Sequence, residues 1–205
     1  MMTFRVLVVC TGNICRSPMG EIVLRQRLRD AGIDEVEVRS AGVSTEESGN
    51  PVDSRACAVL AEHGYDTSKS HRAHRATDDE LRTSDLILAM TVGHARSLRR
   101  MVESAGGDIS RIHLWREFDG TVPFAQGGVF SDAGALGTRS EVSGVNGSGK
   151  RSRYSDFYSS DGRLDVADPW YGGKDGFYAT LDTVEQGADG IVQWLRGSAE
   201  LALRK

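Results

Sequence analysis

The sequence predicts an α/β fold with three layers, α/β/α, around a four-stranded parallel sheet. Four short apolar runs, at 4–9, 36–42, 85–90 and 111–115, are typical of buried strands. Segments with apolar residues at three- and four-residue steps alternate with these runs, which favours a parallel sheet covered by helices on both faces. With 205 residues the chain is long enough for one domain with a sizeable core, which we expect to span 1–205.

The elements are expected to alternate from the start of the chain. The strand "FRVLVV" is followed by a glycine-containing turn and by the helical pattern "MGEIVLRQRLRDAG". Ser17 is predicted as the N-cap of this helix, Pro18 as its first residue and Gly32 as its end. Further helices are predicted at about 54–64 and 92–105, each after one of the other strands, and at about 176–203 near the end of the chain.

Residues 120–164 interrupt this alternation, because they are rich in glycine and serine and follow neither period. We predict a flexible insertion here, with a short ordered piece near Tyr154 to Tyr158. Both tyrosines are candidate kinase targets, although exposed loop tyrosines are mostly unmodified. "GVNGSGKR" (144–151) has the glycines and lysine of a nucleotide-binding P-loop, but Arg151 replaces the required Ser or Thr and no strand precedes it, so nucleotide binding is not expected.

Composition excludes several classes of protein. The formal net charge of −4 offers no basic surface for nucleic acid. Three cysteines are too few for a disulfide framework and favour a reducing compartment. No apolar run approaches the roughly 20 residues that span a bilayer, and no signal peptide is evident. We therefore expect a cytoplasmic protein with neither nucleic-acid nor membrane partners.

The stretch "VLVVCTGNICRSPMGE" (6–21) places Cys10 where a buried strand changes into a turn and then a helix. Backbone N–H groups of such a turn can converge on an anion, and the helix N-terminus adds its positive end, so a pocket of phosphate size is expected. Arg16 can hold two phosphate oxygens through its planar guanidinium. The same positive groups favour the thiolate of Cys10. The segment is thus expected to bind a phosphate ester and attack its phosphorus.

With these residues the chain resembles the low-molecular-weight protein tyrosine phosphatase family, whose active-site loop follows the pattern C-x5-R-[ST] near the N-terminus. "VCTGNICRSP" (9–18) contains this pattern. Further similar segments follow in the same order: "SAG" at 40–42, "SHRA" at 70–73, "DLILAM" at 85–90 and "DPWYGG" at 168–173. The resemblance covers residues 4 to about 118 and about 164 to 198, and it leaves the predicted insertion out.

The resemblance implies a phosphotyrosine hydrolase that forms a phosphocysteine intermediate and needs neither cofactor nor metal. Cys10 is implied as the nucleophile and Arg16 as the clamp on the phosphate oxygens. Asp168 is implied as the acid that protonates the leaving phenolate and then as the base that activates water. The implied phosphate-binding loop comprises Thr11, Gly12, Asn13, Ile14, Cys15, Arg16 and Ser17.

The resemblance also implies supporting residues. Ser17 is expected to donate to the Cys10 sulfur, and Asn13, Ser40 and His71 to hold the loop in shape by hydrogen bonds. His71 is the one histidine with a motif-based role, because the other four are predicted at the surface or as helix caps, namely His63, His74, His94 and His113.

The walls of the cleft are implied as Trp170, Tyr171 and Glu46. Glu46 lies near the position where many members carry an aromatic residue, Trp170 takes the first place of the usual tyrosine pair, and Thr91 stands where aspartate is common. These departures bear on substrate preference and leave the chemistry unchanged.

Cys15 has two interpretations, a packing residue or a redox partner that forms a disulfide with Cys10 and protects it from irreversible oxidation. A zinc site at Cys10 and Cys15 is not expected, since no second pair of ligands has suitable spacing. Cys57 lies in a helical apolar pattern and is predicted in the core.

Three alternatives to a tyrosine phosphatase remain open. An arsenate reductase needs further cysteines, and Cys57 is the only spare one. A phosphoarginine phosphatase typically has threonine where this chain has Ile14. A non-catalytic phosphate-binding or redox-sensing module would not need both Cys10 and Asp168. The expected partners are a tyrosine-phosphorylated protein and a cognate tyrosine kinase, and the expected assembly is a monomer or weak dimer.

Overall fold

The computed structural model describes residues 3–137 and 162–198 and contains a four-stranded parallel sheet between two layers of helices. The predicted fold class is confirmed. The strands, in the sheet order β2-β1-β3-β4, are β1 (Phe4–Cys10), β2 (Val36–Gly42), β3 (Leu86–Ala89) and β4 (Ile112–Leu114). The helices are α1 (Arg16–Asp30), α2 (Ser54–Glu62), α3 (Asp78–Thr83), α4 (Val92–Ala105) and α5 (Lys174–Gly197).

The central position of β1 in the sheet explains why its sequence is almost continuously apolar. It pairs with β2 on one side and β3 on the other, so both of its faces are covered. Val6 and Val8 pack in the core with α1 and α5, whereas Leu7 and Val9 pack in the second core with α4. Cys10 follows the first set, which turns its side chain towards α1.

Element boundaries differ from the prediction in three places. Helix α1 begins at Arg16, before the predicted cap, and α5 begins at Lys174. The short helix α3 was not predicted; a reciprocal capping box between Thr77 and Glu80 stabilises it. Within residues 3–137 and 162–198, no helix is both long enough and apolar enough to cross a membrane.

Residues 120–137 and 162–164 of the predicted insertion are described, and both stretches are ordered. Residues 120–137 form a series of turns in which Val122, Ala125 and Val129 are buried, and the Val129 N–H donates to the Ile112 carbonyl over 2.8 Å. These apolar side chains and this bond fix a segment that was expected to lack structure. The P-loop-like stretch 144–151, Tyr154 and Tyr158 lie outside the described residues.

The chain returns to the sheet just before the Asp168 loop. The Val166 N–H donates to the Met90 carbonyl over 2.8 Å, and the Val92 N–H donates to Asp165 Oδ1 over 2.7 Å. These two bonds attach the chain to the carboxyl end of β3 and place residue 168 at the edge of the sheet where β1 ends.

Candidate active site

A cleft of about 360 Å³ opens at the carboxyl edge of the sheet, where ligands of open parallel sheets bind. Its size suits a small ligand. Its lining comes from the end of β1, the loop 11–17, the segment after β2, the start of α4 and the Asp168 loop. It consists of Cys10, Thr11, Gly12, Ile14, Cys15, Arg16, Glu46, Glu47, Thr91, His94, Asp168, Trp170 and Tyr171. The predicted wall residues Glu46, Trp170 and Tyr171 therefore all face this cleft.

The backbone N–H groups of the loop from 11 to 17 are available to a ligand. In the described part of the chain, none of its backbone N–H groups donates to another protein group. Cys10 lies below it and is 3% exposed. Helix α1 begins at Arg16 with Cys15 as an N-cap that makes no side-chain hydrogen bond, so the positive end of the helix also faces the cleft. This arrangement is suited to an oxyanion.

The predicted N-cap role of Ser17 is wrong, because its hydroxyl has other partners. Ser17 Oγ lies 3.1 Å from Cys10 Sγ, accepts from Asn13 Nδ2 over 3.0 Å and donates to the Ala41 carbonyl. Pro18 is consequently the third residue of the helix, where its missing N–H is still tolerated. The hydroxyl thus contacts the sulfur instead of capping the helix.

Asn13 holds the loop in a left-handed turn, with φ 59°. Its buried side-chain amide donates to Ser17 and, over 3.0 Å, to Ser40 Oγ. Its carbonyl accepts from His71 Nε2 over 2.7 Å, and its Oδ1 accepts from the His74 backbone N–H. The residues that were predicted to support the loop are therefore in contact with one another.

Glu21 extends this network and was missed by sequence reasoning. The residue is 8% exposed, and its carboxylate accepts from Ser40 Oγ and pairs with Arg25 over 2.5 Å. Because Ser40 donates to Glu21, its oxygen remains available to accept from Asn13. Glu21 thereby fixes the direction of the hydrogen bonds that hold the loop.

Arg16 and Asp168, which are 152 positions apart in the chain, form an ion pair with Nη2 and Oδ2 2.6 Å apart. The guanidinium is largely buried, and Nη2 also lies 3.4 Å from Thr11 Oγ1. The second oxygen of Asp168 accepts from the Trp170 backbone N–H over 3.1 Å. The structure thus brings the three residues implied as catalytic into one cleft.

His94 belongs to the site although it was predicted as a surface or capping residue. It is 3% exposed; its Nε2 lies 2.9 Å from Thr11 Oγ1 and its Nδ1 3.0 Å from Thr91 Oγ1. Burial, and then the charge of Arg16, hold the pKa of His94 well below its usual value. One signal was available: His94 closely follows β3, whose carboxyl end adjoins that of β1. The surface prediction is also wrong for His113, which is buried against Glu117.

The outer walls of the cleft are charged on one side and aromatic on the other. Glu46 is exposed and Glu47 half-buried, whereas Trp170 is 41% and Tyr171 85% exposed. Gly12 lies close to this wall, because a Cβ there would lie 2.7 Å from Glu47 Cγ and the Glu47 side chain would have to shift. These carboxylates and rings therefore lie where the cleft meets the solvent.

The remaining cysteines are free thiols in the structure. Cys15 is buried beside the loop, and burial raises the pKa of its thiol, with the nearby carboxylate of Asp53 adding to the effect. Cys57 is half-buried, so its predicted core position is only partly correct. The described residues contain no group of three or more His, Cys, Asp or Glu side chains that could hold a metal ion.

Comparison with known proteins extends the sequence resemblance. The sequence model of the low molecular weight phosphotyrosine protein phosphatase family matches residues 5–129. A low molecular weight protein-tyrosine-phosphatase of Streptomyces coelicolor is 36% identical over 200 residues, which cover 97% of this chain and 98% of that protein. Low molecular weight protein-tyrosine phosphatase A of Mycobacterium tuberculosis is 33% identical over 191 residues, covering 93% and 90%.

A solved structure agrees in fold. The protein tyrosine phosphatase from Entamoeba histolytica with Hepes in the active site superimposes with a TM-score of 0.68 at 22% identity, covering 95% of this chain and 98% of that chain. The family match over more than half of the chain and the two similar relatives lead to one conclusion. The chain belongs to the low molecular weight phosphotyrosine protein phosphatase family, whose members are metal-independent hydrolases.

Proposed function

We propose that this protein hydrolyses phosphotyrosine through a phosphocysteine intermediate, with Cys10 as the nucleophile, Arg16 as the phosphate clamp and Asp168 as the general acid and base. The observation that carries the proposal is that one cleft is lined by a buried thiol, a guanidinium, a carboxyl group and part of a loop whose backbone N–H groups donate to no other described group. Backbone donors and Arg16 supply the positive charge that phosphoryl transfer requires.

The first step transfers the phosphoryl group to sulfur. The oxygens of the phosphate bind to the N–H groups of 11–17 and to Arg16, which places the phosphorus above Cys10. The thiolate attacks, the S–P bond forms and the P–O bond to the phenol breaks. Protonated Asp168 gives its proton to the leaving oxygen. Because the phenol of tyrosine has a pKa of about 10, the phenolate is a poor leaving group unless it is protonated.

The second step releases phosphate. Asp168, now a carboxylate, takes a proton from a water molecule whose oxygen attacks the phosphorus. The S–P bond breaks, inorganic phosphate leaves, and Cys10 returns to the thiolate, 3.1 Å from Ser17 Oγ. No electron is gained or lost by the protein.

An aryl ester is the substrate class that the cleft supports best. Trp170 and Tyr171 offer flat apolar surfaces, and Ile14 lines the entrance. We therefore propose a tyrosine-phosphorylated protein as the substrate and the kinase that phosphorylates it as the functional counterpart. Among the described residues, Cys57 does not line the cleft, which argues against a relay of disulfides as in an arsenate reductase.

A turnover assay tests the proposal. The parent protein is expected to hydrolyse p-nitrophenyl phosphate at mildly acidic pH with EDTA present, Cys10→Ser is expected to be inactive, and Cys57→Ser is the matched cysteine control with full activity. Asp168→Asn is expected to lower kcat/KM on a phosphotyrosine peptide by about 10²- to 10⁴-fold.

Peptides that carry phosphotyrosine, phosphoarginine or phosphoserine then rank the substrate classes, and arsenate with a thiol reductant tests the reductase. Faster turnover of phosphoarginine, or activity that survives Cys10→Ser, would contradict the proposal. Phosphate binding without turnover in the parent would instead favour a non-catalytic module.

A further inference from the structure

Arg55, which lies in the first turn of α2 outside the lining of the cleft, connects the phosphate-binding loop to the acid loop (168–173). We propose that Arg55 is a positioning residue that holds the acid loop so that Asp168 reaches the leaving oxygen. The inference rests on the proposed function, because it assigns a role in the general-acid step.

One end of the connection is fixed to the phosphate-binding loop. The Asp53 N–H donates to the Ile14 carbonyl over 2.8 Å. The Asp53 carboxylate caps α2 by accepting from the Arg55 N–H over 2.8 Å, and it accepts from Arg55 Nε and Nη2 over 3.1 and 3.0 Å. This fork-to-carboxylate geometry fixes the plane of the guanidinium, which a lysine could not do.

The other end contacts the acid loop. The guanidinium carbon of Arg55 lies 5.2 Å from the ring centroid of Trp170 and 4.7 Å from that of Phe177, a fully buried residue of α5. Arg55 Nη1 also approaches the Trp170 carbonyl at 3.4 Å. Because a guanidinium over an aromatic face is attracted to it, Arg55 joins the loop to the body of the protein.

Trp170 transmits this restraint to the carboxyl group, since its N–H donates to Asp168 Oδ1 over 3.1 Å. Besides the Arg16–Asp168 ion pair and a bond from the Gly172 N–H to the Pro169 carbonyl, the loop has few restraints: Tyr171 is 85% exposed, and the glycines at 172 and 173 add backbone freedom. Removal of Arg55 should therefore let the loop sample positions in which Asp168 is out of reach of the substrate.

The test compares two esters that differ in their need for a proton. Phenyl phosphate releases a phenolate with a pKa of about 10, like that of tyrosine, and depends on the acid. p-Nitrophenyl phosphate releases a far more stable anion and depends on it little. The ratio of the two kcat/KM values on one preparation is independent of the folded fraction, and kcat/KM reports the step in which the ester bond breaks.

Arg55→Leu is expected to lower kcat/KM for phenyl phosphate by about 10- to 100-fold and to change p-nitrophenyl phosphate hydrolysis much less, with Arg55→Lys intermediate. In the Asp168→Asn background, Arg55→Leu should add no further loss. The matched control is Arg99→Leu, because Arg99 lies 5.1 Å from the Phe130 ring centroid and 3.1 Å from Glu103 on α4. Equal losses on both esters, or a full loss in the Asp168→Asn background, would overturn the proposal.

A second measurement does not need activity. Acrylamide quenching of Trp170 fluorescence, obtained as the difference between each protein and its Trp170→Phe version, should increase in Arg55→Leu and stay unchanged in Arg99→Leu. Unchanged quenching in Arg55→Leu would overturn the proposal that Arg55 holds the acid loop, even if the parent protein has no phosphatase activity. Increased quenching in a parent that hydrolyses neither ester overturns the proposed function and leaves the restraint standing.

Discussion

Arg16 Nη2 donates to Asp168 Oδ2 over 2.6 Å, so the residue proposed to bind phosphate and the residue proposed to protonate the leaving group are partners of each other. In this pair, Asp168 occupies an N–H donor of Arg16 that would otherwise bind an oxygen of the phosphate. A dianionic ester and the Asp168 carboxylate therefore compete for the same guanidinium.

Asp168→Asn should bind inorganic phosphate about tenfold more tightly than the parent at neutral pH, because a negative charge that faces the anion is removed. Isothermal titration calorimetry measures the affinity. Asp175→Asn removes the same charge from an exposed position at the start of α5 and serves as the control. Weaker or equal binding by Asp168→Asn would show that the ion pair does not compete with phosphate.

Asn13→Ala should lower the free energy of unfolding by about 2–4 kcal/mol, since it removes buried hydrogen bonds and places alanine at a φ of 59°. Asn13→Gly removes the same bonds but adopts this φ without strain, so it should be about 1 kcal/mol more stable than the alanine variant. Urea denaturation measures both. Equal stabilities would mean that the left-handed turn carries no strain.

His94 should make the protein less stable in acid. Its pKa is lowered by burial and by Arg16, so the unfolded chain gains a proton below about pH 6.5 that the folded protein does not bind. The free energy of unfolding should then fall by up to about 1.4 kcal/mol per pH unit between pH 6.5 and the folded-state pKa.

His94→Gln should remove this part of the pH dependence, as measured by urea denaturation at several pH values. His63→Gln, which changes an exposed histidine, should retain it. A His94→Gln variant with the slope of the parent would indicate that His94 is protonated in the folded state.

Cys15 should protect Cys10 from irreversible oxidation. Peroxide converts the Cys10 thiolate to a sulfenic acid, and the Cys15 thiol then condenses with it to form a disulfide and water. After peroxide and then dithiothreitol, the parent and Cys57→Ser should recover activity, whereas Cys15→Ser should recover only a minor fraction. Equal recovery of all three proteins would leave Cys15 with a packing role.

Gly190→Ala should destabilise the protein by more than about 2 kcal/mol, because an added Cβ would lie 1.6 Å from the Phe118 carbonyl oxygen and would push α5 outward. Gly197→Ala has nothing within 4 Å of the added Cβ and should change stability by less than about 1 kcal/mol. Thermal or urea denaturation compares them. A stable Gly190→Ala variant would mean that α5 adapts to the contact at little cost.

The features that were predicted correctly are those that depend on residues close together in the sequence. The strands β1 and β3 are covered on both faces, so their sequences are almost continuously apolar. Such runs were enough to predict buried parallel strands. Residues 10–17 are contiguous, so the spacing of Cys10 and Arg16 was enough to predict an anion-binding loop. Asp168 is far away in sequence, and only the family resemblance of "DPWYGG" connected it to that loop.

What the sequence could not provide depends on contacts across the fold. Ser17 was predicted as a helix cap because serine is common at that position. In the fold, however, its hydroxyl accepts from Asn13 and contacts the Cys10 sulfur. The positions of His94 and Arg55 follow from how α4 and α2 meet the loops, at separations of 83 and 115 residues from Thr11 and Trp170. No periodicity or motif within one segment carries that information.

The bonds from Val166 to Met90 and from Val92 to Asp165 anchor the chain to the end of β3 just before Asp168. Since both attachment points follow residue 161, changes in the length or composition of the preceding stretch need not alter the distance from Asp168 to the sulfur.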